Sequence, residues 1–353
     1  MARAEPTVRP AGRDDNQALQ ELIFRSPQAG RILLGWDRSP DFFARAAPYD
    51  ESRVFVIDDE AGIAGTVACG LKWVLVQGER QRAAYIFDLA VDARARRRGC
   101  AGLLLAEAEA WAREQGGDFL YAHVLGGNRA GLGSFAAAGY QEAARLTSLT
   151  FPARVPGGAQ DDRIRAVEEE DWAALGRLVH QGYQGHDLLR AESLEGLRAL
   201  WEGLPGLQAG QVWVVGRPAT AVLGLWDYSS VGRAILLRLP PELRALAALS
   251  RLLRRLGLRA PRVPRPGVPV RYGLLLGAAG EAEALPALFR RALAQARELR
   301  LDTVLWFHDR RTPPSWAQGQ SFTGWYHLMA KALHPGPAAT LGERPLWVDP
   351  IDL

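Results

Sequence analysis

The chain has 353 residues, 48% apolar and 23% charged, enough for two domains with ordinary hydrophobic cores. The net charge of +4 raises nucleic acid as a partner, but the basic residues are nearly all arginine and scattered, densest at 94–98, so nucleic-acid binding is not expected. Cys69 and Cys100 are the only cysteines; with no long apolar run and no apolar signal core, the composition predicts a cytoplasmic protein without disulfides, a metal site or membrane contact.

In chain order, residues 6–11 form a strand candidate and 14–24 a helix. Segments 52–59 and 62–77 alternate and are β-branched, with an Asp-Glu-Ala-Gly turn between them, which is a hairpin signal. Residues 82–91 form a further strand. In 102–115, Leu104, Ala108, Trp111 and Ala112 share one face, while Glu109 and Arg113 stand as an i,i+4 pair on another, so a helix is expected. A strand at 118–124 and a short helix ending at Gly139 complete the first half. Proline and glycine cluster at 151–162, a linker signal. The order then restarts: strand 163–167, helix 168–183, hairpin 210–229, strand 270–277, helix 285–299 and strand 302–309. An insertion at 240–260 reads as a basic amphipathic helix followed by a Pro/Arg-rich loop, a solvated face over a core stripe in preference to membrane contact.

The junction between strand 82–91 and its helix carries the chemistry. Arg96, Arg97 and Arg98 repel one another, and Gly99, Ala101 and Gly102 then strip away side-chain bulk. A helix N-terminus has unpartnered N–H groups and about half a positive charge. Small residues let backbone approach an anion closely, and arginine adds bidentate donors. The stretch suits a diphosphate.

Arg96 to Ala101, with "DLAV" (88–91) before it, helix 102–115 after it, then Val124, Asn128 and the pair Gly139-Tyr140, resembles the GCN5-related N-acetyltransferase (GNAT) superfamily. The resemblance covers about residues 82–141, and more weakly 5–150. It implies an α/β fold (a mixed, largely antiparallel sheet flanked by helices) in two tandem acetyltransferase-like domains, 1–157 and 158–353. It also implies acetyl-CoA as co-substrate and a small-molecule or peptide amine as acceptor, attacked directly without a covalent enzyme intermediate. The cofactor would lie on Arg96, Arg97, Arg98, Gly99, Cys100, Ala101 and Gly102, with its pantetheine arm along Leu89, Ala90 and Val91 and further contacts at Asn128 and Phe135. Phe135 departs from the family pattern: tyrosine is common there as the acid that protonates the leaving thiolate, and a phenyl ring cannot do so.

An alkylammonium must lose a proton before it attacks. Asp88 is the first candidate base and His123 its rival; Phe42, Phe43 and Tyr85 are candidates to line the acceptor pocket. In the second half, Glu281 and Glu283 replace the arginines before helix 285–299, and Pro286 suits a first helical turn. Acids there repel a diphosphate, so the second domain is expected to have lost its cofactor loop. A Gly-x-Gly-x-x-Ala match at 131–136 lacks the strand and acidic residue of a dinucleotide site. The six histidines include no metal-binding pair, and Trp226-Asp227 reads as strand-end packing. An alternative reading is a non-catalytic acyl-CoA-binding or regulatory protein of the same fold.

Overall fold

The computed structural model describes residues 7–29, 33–153, 161–191, 193–257, 265–317 and 321–353; the 154–160 part of the linker and the loop following the 240–260 helix lie outside them. The first half runs β1 (Val8–Pro10), α1 (Asn16–Arg25), β2 (Gln28–Ala29), β3 (Leu33–Asp37), β4 (Glu51–Asp59), β5 (Gly62–Val76), β6 (Glu79–Val91), α2 (Cys100–Glu114), β7 (Phe119–Leu125), α3 (Arg129–Ala137) and β8 (Gln141–Pro152). The second half runs β9 (Ile164–Ala166), α4 (Trp172–Gly182), β10 (Leu189–Arg190), α5 (Leu194–Glu202), β11 (Val212–Val215) and β12 (Ala221–Asp227). It continues with β13 (Arg233–Arg238), α6 (Pro241–Arg255), β14 (Pro269–Val270), β15 (Tyr272–Gly280), α7 (Leu285–Glu298), β16 (Thr303–Asp309) and β17 (Phe322–Ala332).

Periodicity explains most of these elements. The stripe Leu104, Ala108, Trp111 and Ala112 is buried against β5 and β6, as its 3.6-residue spacing requires. Strand β5 is buried along nearly its whole length because helices and loops cover both faces, so its side chains are apolar on both sides. One expectation is corrected: Glu109 is engaged not by Arg113 but by Lys331 of β17, whose Nζ lies 2.7 and 2.8 Å from its carboxylate oxygens.

The two halves share one mixed sheet, ordered β1-β4-β5-β6-β7-β17-β8-β16-β15-β12-β11-β9, with β10 added to β5. They are joined by exchange. Strand β8 pairs through residues 146–152 with β16 of the second half, and β17 returns to fill the space between β7 and β8. Separate apolar clusters lie under α2 and under α7, while a third runs beneath the opposite face through both halves, from Leu19 and Tyr85 to Trp226 and Leu276. A small second sheet, β14-β13-β3-β2, ties the 228–271 insertion to the first half.

The exchange makes a prediction about truncation. A fragment of residues 1–157 loses β17 and exposes the β7 edge and the inner face of β8, both apolar. It is expected to aggregate or associate on size exclusion, whereas the full chain does not; a monodisperse, folded fragment would show that β17 is dispensable.

Candidate functional site

Strands β6 and β7 run parallel for only three pairs, Ala83↔Phe119, Ala84↔Leu120 and Tyr85↔Tyr121. Beyond Tyr85 they part, and β6 continues alone on that side to Val91. The parting coincides with a bulge: two residues of β5 separate the pairs Thr66↔Ala90 and Ala68↔Phe87, against three of β6. Asp88 takes up the extra length with φ of 48°, a conformation side chains rarely adopt. Leu89, Ala90 and Val91 therefore line an open wedge whose backbone groups have no β7 partner.

At the mouth of the wedge the chain turns through Arg97 (φ 61°) and Gly99 (φ 80°) into α2. Gly99 is the N-cap; no side chain caps the helix, and its first turn holds no acid. Nothing lies within 4 Å of the Cβ positions of Gly99 or Gly102. Arg96, Arg97 and Arg98 are all exposed. Arg96 Nε donates to the carbonyl of Val91 at 3.3 Å, while Arg97 and Arg98 have no partner among the described residues. Uncapped amides, open space and free guanidinium groups fit a diphosphate.

The other face of the wedge is polar and buried. Asp88 Oδ1 accepts from Arg38 (3.1 Å) and Arg45 (2.6 Å), and its Oδ2 is buried without a partner. Burial alone raises its pKa, but the two guanidinium groups outweigh burial and hold Asp88 below the usual carboxylate range. His123 on β7 packs beside Tyr85 and Tyr121, with centroids 5.3 and 5.9 Å apart. Burial, then Lys72 and Arg45, push its pKa down to about 3, so the imidazole is neutral at pH 7, and its Nδ1 is unpartnered. Tyr49, Tyr85 and Phe87 stack beside it; Gly70 makes room, since a Cβ there would come within 2.4 Å of the Tyr49 ring.

The segment 345–353 closes this face. Lys72 Nζ, fully buried on β5, donates to Asp349 (2.8 Å) and to both oxygens of Asp352 (2.7 and 2.8 Å). Arg190 donates to Asp349 at 2.5 Å, and the Tyr121 and Tyr49 hydroxyls donate to Asp352 at 2.5 and 3.0 Å. Burial opposes ionisation of Asp349, but Lys72 and Arg190 hold its pKa well below normal. Burial, reinforced by Asp349 and opposed by Lys72, leaves Asp352 above normal.

Residues 17–140, which contain the wedge and the α2 mouth, match the acetyltransferase (GNAT) family model. This segment is a GNAT domain. Among solved structures, Saccharomyces cerevisiae N-myristoyltransferase with bound myristoyl-CoA superposes with a TM-score of 0.62 at 11% identity, covering 94% of this chain and 84% of that one. A GCN5-related N-acetyltransferase from Anabaena variabilis gives 0.52 at 12% identity, over 94% and 73%. These likenesses are of fold, and both extend across the two halves. No protein of curated function matches the sequence. A GNAT domain has the fold of an acyl-CoA-dependent acyltransferase.

The second half repeats the parted, bulged strand, with acids in place of arginines before its helix. Strands β15 and β16 also pair for only three residues, and β15 carries the same bulge between Val222↔Ala279 and Gly224↔Leu276. Gly277 (φ 55°) stands where Asp88 stands in the first half. A Cβ there would meet the Trp201 ring at 2.5 Å, so Trp201 of α5 fills the space. Exposed Glu281 and Glu283 precede α7, and Pro286 sits in its first turn.

Other candidates have ordinary structural work. Asn128 caps α3, its Oδ1 accepting from the Gly131 amide at 3.0 Å. Phe135 is buried edge-on to Tyr140 at 5.1 Å. Phe42 is 2% exposed and packs in the core with α1, while Phe43 lies under the Arg13 guanidinium. Sequence reasoning missed Arg38, Arg45, Asp349 and Asp352. The available signal was Lys72, one of only two lysines, inside an otherwise apolar strand.

Two expectations follow from this geometry. Calorimetry should find one acyl-CoA per chain, with Arg98→Ala weakening it by roughly 1–3 kcal/mol; two equivalent sites would show that the acids before α7 are no bar. Lys72→Met strands buried carboxylates and should cost about 3–5 kcal/mol in denaturant unfolding. Asp88 and Asp349 have depressed pKa values in the folded state, so their stabilisation is present above the unfolded value near 4 and lost as pH falls below it, with Asp352 acting in the opposite sense. The acid arm of the stability profile should therefore flatten in Lys72→Met.

Proposed function

We propose that the chain transfers an acetyl group from acetyl-CoA to a primary amine, in a ternary complex and at the first-half wedge alone. The observation that carries this reading is the bulged, parted β6 opening beside an uncapped α2 N-terminus with three exposed arginines. The amides of 97–102 with Arg96 and Arg98 would hold the diphosphate, and Leu89 to Val91 the pantetheine arm. Bound acetyl-CoA supplies an activated thioester carbonyl; an N–H near Leu89–Val91 is placed to receive its developing negative charge. Acetyl is favoured over a long acyl chain because the apex of the wedge is filled: Ala84, Ile86, Leu120 and Ala122 on one face, and Tyr85, Phe87 and Tyr121 on the other, are all buried.

The amine would meet the thioester beside Asp88. Asp88 is held ionised by two arginines and keeps a free Oδ2, so it serves to receive and orient an ammonium group. Its low pKa makes it a weak base. His123, its pKa pushed down to about 3 and its Nδ1 buried, is no stronger a base, so water is left to accept the proton. Phe135 offers no proton to the departing thiolate, which leaves that step to water.

Asp88→Asn keeps the shape and removes the charge. Turnover of a reactive amine at neutral pH is expected to fall by ~10²–10⁴ with acetyl-CoA affinity little changed, provided that melting confirms a folded protein, since two buried arginines lose their counter-charge. A loss below about threefold in a folded variant would show that Asp88 does not orient the amine. Tight acetyl-CoA binding with no CoA release on any amine would favour the binding-protein reading.

A further inference from the structure

Helix α6 turns apolar side chains toward solvent. Leu249, Leu252 and Leu256, at positions i, i+3 and i+7, are 52%, 53% and 66% exposed, and Val268 beyond the helix is 51% exposed. The side facing the protein is a different one, where Ser250 is buried and Leu243, Ala247 and Leu253 are half-buried. The helix thus has two apolar sides, and only one has a core to cover. Arg244, Arg251 and Arg255, all exposed, form a stripe along one flank of the leucines. Residues 238–268 hold eight arginines and a single acid, Glu242, a net +7, while the whole chain is only +4. The rest of the chain is therefore net negative, and this stretch of sequence is its most basic.

We propose that this face docks on an anionic phospholipid bilayer, with the α6 leucines seated among the acyl chains and the flanking arginines on the headgroup phosphates. An interfacial helix needs this pairing of an apolar stripe with a basic flank. A second copy is disfavoured because two faces of like charge repel. Nucleic acid would engage the arginines but leave the leucines in water. No helix among the described residues is long and apolar enough to cross a membrane, so the contact is peripheral. Docking would also orient the acceptor side of the molecule: β13, which leads into α6, pairs with β3, Arg233 bonds Asp37 at 2.7 Å, and the next residue, Arg38, reaches Asp88. The proposal does not depend on acyl transfer.

The full chain would be co-sedimented with phosphatidylcholine vesicles, with and without phosphatidylglycerol, at low and high salt. Binding to phosphatidylglycerol vesicles is expected to exceed binding to phosphatidylcholine alone by at least about tenfold and to weaken with salt. Leu252→Glu with Leu256→Glu should reduce it by at least about tenfold with an unchanged melting curve, because both side chains are more than half exposed. Arg251→Gln with Arg255→Gln gives an independent check, at about fivefold per arginine and a shallower salt dependence. Three outcomes overturn the proposal: no binding to phosphatidylglycerol vesicles, wild-type binding by the folded leucine variant, or a concentration-dependent dimer that the leucine variant abolishes.

Discussion

Everything in this molecule depends on β17 lying between β7 and β8. Because β8 crosses to β16 and β17 crosses back, neither half closes its own sheet, and each supplies the strand the other lacks. The chain contains two lysines, and both fasten this arrangement. Lys331 on β17 reaches Glu109 on α2, and Lys72 on β5 anchors the tail at Asp349 and Asp352. A buried ammonium between two carboxylates contributes little net stability compared with apolar packing, but it penalises any register that separates the partners. The interaction therefore selects one way of interlocking the halves.

Interlocking explains how the second half shapes the polar face of the first-half wedge. The tail that follows β17 brings Asp349 and Asp352 under Tyr49, Tyr121 and His123. Strand β13 braces β3, from which Arg38 reaches Asp88. The second wedge, meanwhile, is filled by Trp201 over Gly277. The two bulged strands share one backbone solution, with a carboxylate at the bulge in one and in the other a glycine that admits an indole.

The electrostatics divide in the same way. On the α2 side Arg96, Arg97 and Arg98 are exposed and have no acidic partner among the described residues, a field free to attract a phosphate-bearing ligand. On the opposite side Arg38, Arg45, Lys72 and Arg190 are already paired and buried, which sets the geometry; burial and then the cations lower the pKa of His123, and at Asp88 the cations outweigh burial. Neither group is tuned to be a strong base near neutrality. That puts the weight of the chemistry on placing the amine rather than on removing its proton.

Much of this was legible from residue order. The hairpin of β4 and β5, helix α2 and its buried stripe, the turn at Arg96–Gly99 and the restart after residue 160 all follow from spacing and turn chemistry, because each is decided within about twenty residues of chain. The acids before α7 were legible too, since Glu281 and Glu283 are local charges. The strand exchange was not, because β8 and β17 look like ordinary strands and their partners lie some 150–200 residues away. The pairing of Asp88 with Arg38 and Arg45 was equally hidden, as was the reach of Asp349 and Asp352 to Lys72: charged residues announce that they need partners, but only packing decides which. Phe42 and Phe43 show the converse, since apolar pattern says that a ring will be covered but not whether by a ligand or by the core. For α6 the amphipathic pattern was plain, while which of its two apolar sides meets the protein was settled by the neighbours against which the helix packs. Local order set the elements and the cofactor turn; contacts between distant segments set the polar face of the site.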